Sequence, residues 1–155
     1  RELAERIAAS TDALRKELVT ARERDEAAFS RVVSAQTLPK GSEAEVAARR
    51  RTMDAALAGA AAEPLRAAAL ARDVLHFAAQ LLAIPNKHLA SDVGCAAEFG
   101  YAALAACAYN VRVNHKFMRD TEAIAPQAKL LARYEEEGAS LLATVRRSVN
   151  EALMR

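Results

Sequence analysis

Stepping by four and three residues from Asp92 gives Ala96, Phe99, Ala103, Cys107, Asn110 and Asn114, one helical stripe with a carboxylate at one end and two amides at the other. Asparagines at i and i+4 present four N–H donors and two carbonyl acceptors on one patch, which suits a flat heterocycle of mixed donors and acceptors. The competing reading is that the amides close a helix end, or bond to each other and to water. Asp25 falls between Ala21 and Ala28 on a second apolar stripe. A carboxylate in that position is either paired with a basic residue across a bundle or recruited for acid–base work. A polar segment, Pro85-Asn86-Lys87-His88-Leu89-Ala90-Ser91-Asp92, adds His88 as a candidate acid–base group and Asp92 at a helix start. A plain cap and an idle loop histidine are the bland alternatives there. Arg49-Arg50-Arg51 with Lys40 forms a basic cluster fit to hold carboxylates, or simply a solvated helix face. Cys95 and Cys107 lack the partners of a metal site, and the chain holds neither a glycine-rich phosphate loop nor a Gly-x-Ser-x-Gly turn.

The elements that position these groups follow from composition. Of 155 residues 39 are alanine, against five glycines, four prolines and no tryptophan. Much alanine and few turn formers mean few, long helices, and no β-branched run of period two argues for a sheet. The first helix is expected from Arg1 to about Gln36, ended by Pro39 and Gly41. Ser42 with Glu43 and Glu45 signals the cap of a second helix, reaching about Ala62. Pro64 suits the first turn of a third, which stops near Ile84 ahead of Pro85. Ser91 or Asp92 caps a fourth, to Arg112–Met118, and Thr121 or Ala125 starts the fifth. The expectation is an all-α fold, an antiparallel bundle of about five long helices.

The 22 basic and 20 acidic residues are interspersed, net +2, so the blocks of one sign that mark nucleic-acid arms are missing. No run of apolar residues is long enough for a membrane span. Cys95 and Cys107 lie about 18 Å apart on a continuous helix, too far for a disulfide, and a reduced, cytoplasmic protein is the economical reading. Arg1 opens the chain without a methionine and inside a helix, so the beginning is expected to be cut off.

The chain resembles the cyclodeaminase/methenyltetrahydrofolate cyclohydrolase family, the helical domain at the C-terminal end of formiminotransferase-cyclodeaminase and the stand-alone bacterial cyclohydrolases. The resemblance rests on Asp25 with Ala28-Phe29, then Leu38-Pro39-Lys40, Arg49, Ala56-Leu57 and Pro64-Leu65, then Asn86, Ser91-Asp92 and Gly94, and last Asn110-Val111-Arg112-Val113-Asn114 and Asp120. These span most of the chain, and the string from Ser91 to Asn114 is the most specific. Where the family shows Gly-Asn-x-Asn, this sequence reads Pro85-Asn86-Lys87-His88. The glycine-rich turn and first helix of relatives lie ahead of Arg1.

The resemblance implies a single helical domain over residues 1–155, N-terminally incomplete, of a metal-free folate enzyme. It implies a tetrahydrofolate derivative as substrate, no tightly bound cofactor, a homodimer or higher homo-oligomer, and neither nucleic acid nor membrane as partner. The reaction is hydrolysis of methenyltetrahydrofolate to formyltetrahydrofolate, or closure of formiminotetrahydrofolate with release of ammonia. Either passes through a tetrahedral carbon between two nitrogens and needs a carboxylate to steady the cation or take a proton. Asp92 takes that role, with Asp25 as second candidate and His88 assisting proton transfer. Asn86 and Ser91 contact substrate, Asn110 and Asn114 orient the pterin, and Lys40 and Arg49 draw the glutamate tail. The alternative is a non-catalytic helical interaction module of the same fold whose site has decayed. Eighteen residues, about 27 Å of helix, separate Asp92 from Asn110. A shared site therefore needs a helix break near Gly94 or Gly100, or a second subunit, unless one of the groups is only structural. The intersubunit site is the favoured expectation.

Overall fold

A computed structural model describes residues 1–84 and 87–154. Four long helices carry the chain: α1 (Glu2–Gln36), α2 (Glu43–Leu81), α3 (Ala90–Phe117) and α4 (Thr121–Leu153), with one 3-10 turn, Lys87–Leu89, ahead of α3. No strand occurs among the described residues.

Local chemistry sets most of the boundaries. The Ser42 hydroxyl accepts the Glu45 N–H at 3.3 Å while the Glu45 carboxylate accepts the Ser42 N–H at 3.0 Å, a reciprocal capping box that opens α2. The Asp120 carboxylate accepts the N–H groups of Glu122 and Ala123, both at 3.1 Å, and so fixes the start of α4. The start of α3 differs from expectation. It follows directly from the 3-10 turn with Leu89 at the N-cap and no side-chain cap, so Ser91 and Asp92 lie inside the first turn and neither caps it.

The expected five helices are four, because Pro64 does not interrupt the chain: it sits inside α2. A proline within a helix removes one hydrogen bond and crowds the carbonyl four residues earlier. Here the Ala60 carbonyl, deprived of its partner, accepts the Asn114 amide at 3.2 Å instead. Alanine runs on both sides favour helix, and Ala61, Pro64, Leu65 and Ala68 are all buried.

Cross-helix contacts give the topology. Arg49 meets Gln36 while Arg24 meets Glu63, so α1 and α2 are antiparallel. Arg146 meets Glu98 while Arg112 meets Glu135, so α3 and α4 are antiparallel too. The main core lies among α2, α3 and α4, where Leu75, Leu104, Val111 and Val145 are the largest fully buried side chains. Gly138 admits this packing, since a Cβ there would run into Leu104. Arg72 lies 4.7 Å over the Tyr134 ring at the edge of the same core. A second cluster pins α1 to α2 through Ala28, Val32, Ala35, Leu57 and Ala60.

The buried face of α3 is Val93, Ala97, Gly100, Leu104, Ala108 and Val111. The stripe from Asp92 through Ala103 to Asn110 is its neighbour, and Asp92, Phe99, Ala103 and Asn110 are exposed. Val46 on α2 is half exposed at 50%. No helix among the described residues is long and apolar enough to cross a membrane.

Candidate functional site

A groove of about 200 Å³ opens where α1, α2 and α3 converge, lined by Leu18, Ala21, Arg22, Asp25, Glu63, Pro64, Ala67, Cys107 and Asn110. Two of the expected site residues, Asp25 and Asn110, meet in it. Asp25 borders the groove as an exposed side chain, one turn from the buried Ala21 and Ala28 on either side. Asn110 reaches it from α3, its amide nitrogen donating to the Ala106 carbonyl at 3.2 Å and its own backbone carbonyl taken by Asn114 at 2.8 Å.

The charges around the groove are sorted. Glu63, only 13% exposed, pairs with Arg24 at 3.2 Å and Arg66 at 3.7 Å. Arg24 also reaches Glu17 at 3.6 Å, yet one of its terminal nitrogens is buried without a partner. No lysine or arginine among the described residues pairs with Asp25, so the cross-bundle ion pair weighed from sequence goes to Glu63 instead. Its charge is felt by Cys107, whose thiol is pushed up first by burial and then by the Asp25 carboxylate. A carboxylate without a counter-ion beside an amide is the arrangement that steadies a cation and accepts a proton from water.

The other expected residues lie elsewhere. Asp92 and Ser91 are exposed in the first turn of α3, and His88 is exposed in the 3-10 turn before it. Because α3 runs unbroken through Gly94 and Gly100, it holds Asp92 about 27 Å from Asn110 within one chain. Beside Asp92 lies an apolar groove of about 520 Å³, walled by Leu81, Leu82, Leu89, Val93 and Val149, with Ser148 its one hydroxyl. Asn86 lies outside the described residues. Lys40 is exposed between α1 and α2, and Arg49 donates to the Gln36 carbonyl at 3.0 Å, satisfying the last turn of α1. Asn114, half-buried, donates to the carbonyls of Ala60 and Asn110.

Sequence reasoning missed Glu63, Arg22 and Pro64 as groove walls. A Glu-Pro pair inside a run of alanines was the available signal for two of them, since a charged residue and a helix breaker interrupt an otherwise uniform helix-forming stretch. Cys107 lacks metal partners, but its place on the same stripe as Asn110 brings it to the groove wall. Among the described residues no group of three His, Cys, Asp or Glu side chains is placed to hold a metal ion. Cys95 and Cys107 are free thiols on the one continuous helix.

The profile of the formiminotransferase-cyclodeaminase family matches residues 1–133. A methenyltetrahydrofolate cyclohydrolase of Methylorubrum extorquens is 34% identical over 110 residues, 71% of this chain and 53% of that protein. This chain therefore spans about half the length of that curated relative. The crystal structure of a formiminotetrahydrofolate cyclodeaminase from Thermotoga maritima superposes with a TM-score of 0.83 at 26% identity, covering 96% of this chain and 70% of the other.

Proposed function

We propose that this chain, which belongs to the formiminotransferase-cyclodeaminase family, acts on the one-carbon bridge of a tetrahydrofolate derivative, in the groove that joins Asp25 to Asn110. The observation that carries the reading is this pairing: an uncompensated carboxylate and an amide drawn from different helices into one groove. In the hydrolytic direction water adds to the cationic methenyl carbon, and Asp25 takes a proton from it. The hydroxyl of the tetrahedral carbon then gives up its proton to water as the carbonyl forms, and one bridge nitrogen leaves with the bonding electron pair and takes the proton held by Asp25. The product is formyltetrahydrofolate. In the cyclodeaminase direction the second bridge nitrogen, an exocyclic amine, attacks the formimino carbon and gives its proton to Asp25; the former imino nitrogen is protonated and leaves as ammonia with the bonding pair. Asn110 holds the pterin edge; Lys40 draws the glutamate tail from the exposed α1–α2 connection. Asp92, Ser91 and His88 belong to the same site only if a second subunit brings them to it.

The experiment is direct. The absorbance of methenyltetrahydrofolate is followed with and without the protein, and ammonia release from formiminotetrahydrofolate is measured in parallel. Protein-dependent decay establishes the cyclohydrolase reaction, and ammonia establishes the deaminase. Equal rates with and without protein in both assays leave the non-catalytic interaction module standing.

The groove also supports a homodimer. At about 200 Å³ it is smaller than the roughly 300–1,000 Å³ of ordinary ligand pockets, which favours a site that a second copy completes. The face of α3 beside Asn110 is apolar and uncovered, with Phe99 76%, Tyr109 72% and Val113 48% exposed. Ala103 and Ala106 lie between them, also exposed. Two copies crossing antiparallel about Ala106 set Tyr109 against the partner's Ala103 and Phe99 against the partner's Val113, large on small. Sedimentation equilibrium should find a dimer that Val113→Glu dissociates. A wild-type monomer at micromolar concentration would overturn the assignment.

A further inference from the structure

We propose that Asn114 is a positioning residue of the groove and not a ligand of the substrate: its amide replaces the backbone N–H that Pro64 lacks. In an α-helix each carbonyl accepts from the N–H four residues on. Position 64 has no N–H to give to Ala60, whose residue is 5% exposed and out of reach of bulk water. A buried carbonyl without a donor is costly, and Asn114 supplies one across the α2–α3 contact at 3.2 Å. Its second N–H goes to the Asn110 carbonyl at 2.8 Å. An amide carries two N–H hydrogens, so both donors are spent inside the protein and none is left for a pterin.

Pro126 supplies the contrast. It too sits inside a helix, but the carbonyl it orphans belongs to Glu122, which is exposed and open to solvent. Among the described residues no side chain donates to that carbonyl. At Pro64 a second brace lies close by: Gln127 of α4 donates to the Ala58 carbonyl at 3.2 Å, and its oxygen accepts from His115 Nε2 at 2.8 Å. The stretch of α2 that bears Glu63 and Pro64 is thus tied to α3 and α4 by side-chain amides, and the same Asn114 amide anchors Asn110. One side chain sets the spacing between two walls of the groove.

The activity part of this inference rests on the proposed folate reaction; the structural part does not. The test is a double-mutant cycle on the full chain with Asn114→Ala, Pro64→Ala and the pair, scored by thermal unfolding and by turnover of methenyltetrahydrofolate. Asn114→Ala should lower Tm by roughly 3–6 °C and reduce kcat/KM about tenfold. In the Pro64→Ala background, where a backbone N–H serves Ala60 again, the same change should cost less than half as much in both readouts. Asn110→Ala should lose turnover with Tm unchanged, as expected of an exposed substrate contact. Equal Tm costs in the two backgrounds would overturn the inference, and so would a turnover loss in Asn114→Ala that Pro64→Ala does not relieve. A wild-type protein without turnover ends the folate reading, and the Tm cycle still decides the role of Asn114.

Discussion

The two ends of α3 divide size from chemistry. Near Asp92 the groove is the larger, about 520 Å³, but its walls are aliphatic and its polar neighbours point to solvent. Near Asn110 the groove is less than half that volume, yet Asp25, Glu63, Arg22, Cys107 and Asn110 converge on it from three helices. Binding energy for a flat ring comes readily from an apolar wall, but charge stabilisation requires groups fixed in place before the substrate arrives. At the second end most of the groups around Asp25 are fixed, although Asp25 itself is exposed. Glu63 is held by two arginines, Asn110 by Ala106 and Asn114, and the helix wall by the bond from Asn114 to Ala60. At the first end Asp92 lies in a helix turn with no side-chain cap, where the helix dipole alone favours its charge.

The sharpest way to break this division is to neutralise each carboxylate in turn. Asp25→Asn should lower the turnover of methenyltetrahydrofolate by at least about 100-fold, the usual scale for a lost general base. Asp92→Asn should change it by less than about threefold, as for a surface substitution. The reverse ranking moves the chemistry to the Asp92 end. Comparable large losses in both would join the two ends in one intersubunit site. Since the two positions are about 27 Å apart within a chain, that outcome demands a dimer, and sedimentation decides it independently.

What could be read from the sequence was what depends on near neighbours. The Ser42–Glu45 capping box, the stop at Pro39 and Gly41 and the reach of α1 are all decided within a few residues, and the structure agrees. Pro64 was misjudged because its remedy, Asn114, lies fifty positions away and becomes visible only once α2 and α3 pack. The inward face of α3 was misjudged by one position because alanine suits the inside and outside of a helix equally. The few larger side chains, Val93, Leu104 and Val111, decide the matter. Asp25 and Asn110 were both singled out from sequence, but their meeting depends on how three helices pair, and no spacing along the chain encodes that. The family resemblance drew on ordered residues over most of the chain, so it was legible where the geometry was not.

The smallest expected effect tests the groove without any substrate. Cys95, exposed near Asp92, and Cys107, partly buried near Asp25, report one on each end of α3. The thiolate is the reactive species, and burial followed by the Asp25 charge holds the Cys107 thiol above its ordinary value. Cys107 should therefore alkylate more slowly than Cys95 in the wild type. Replacing Asp25 by Asn removes a negative charge that opposes ionisation, so the thiol's pKa falls and labelling at fixed pH speeds up. In a Cys95→Ser background that acceleration should be about two- to fivefold, because burial, the larger cause, persists. Asp92→Asn should leave the Cys107 rate untouched, since several turns of helix separate them. An unchanged rate in Asp25→Asn would mean that the carboxylate does not face the thiol, and the groove would lose the group that its chemistry requires. If the acceleration is found, protection of Cys107 by bound folate then becomes a direct measure of which end of α3 the ligand occupies.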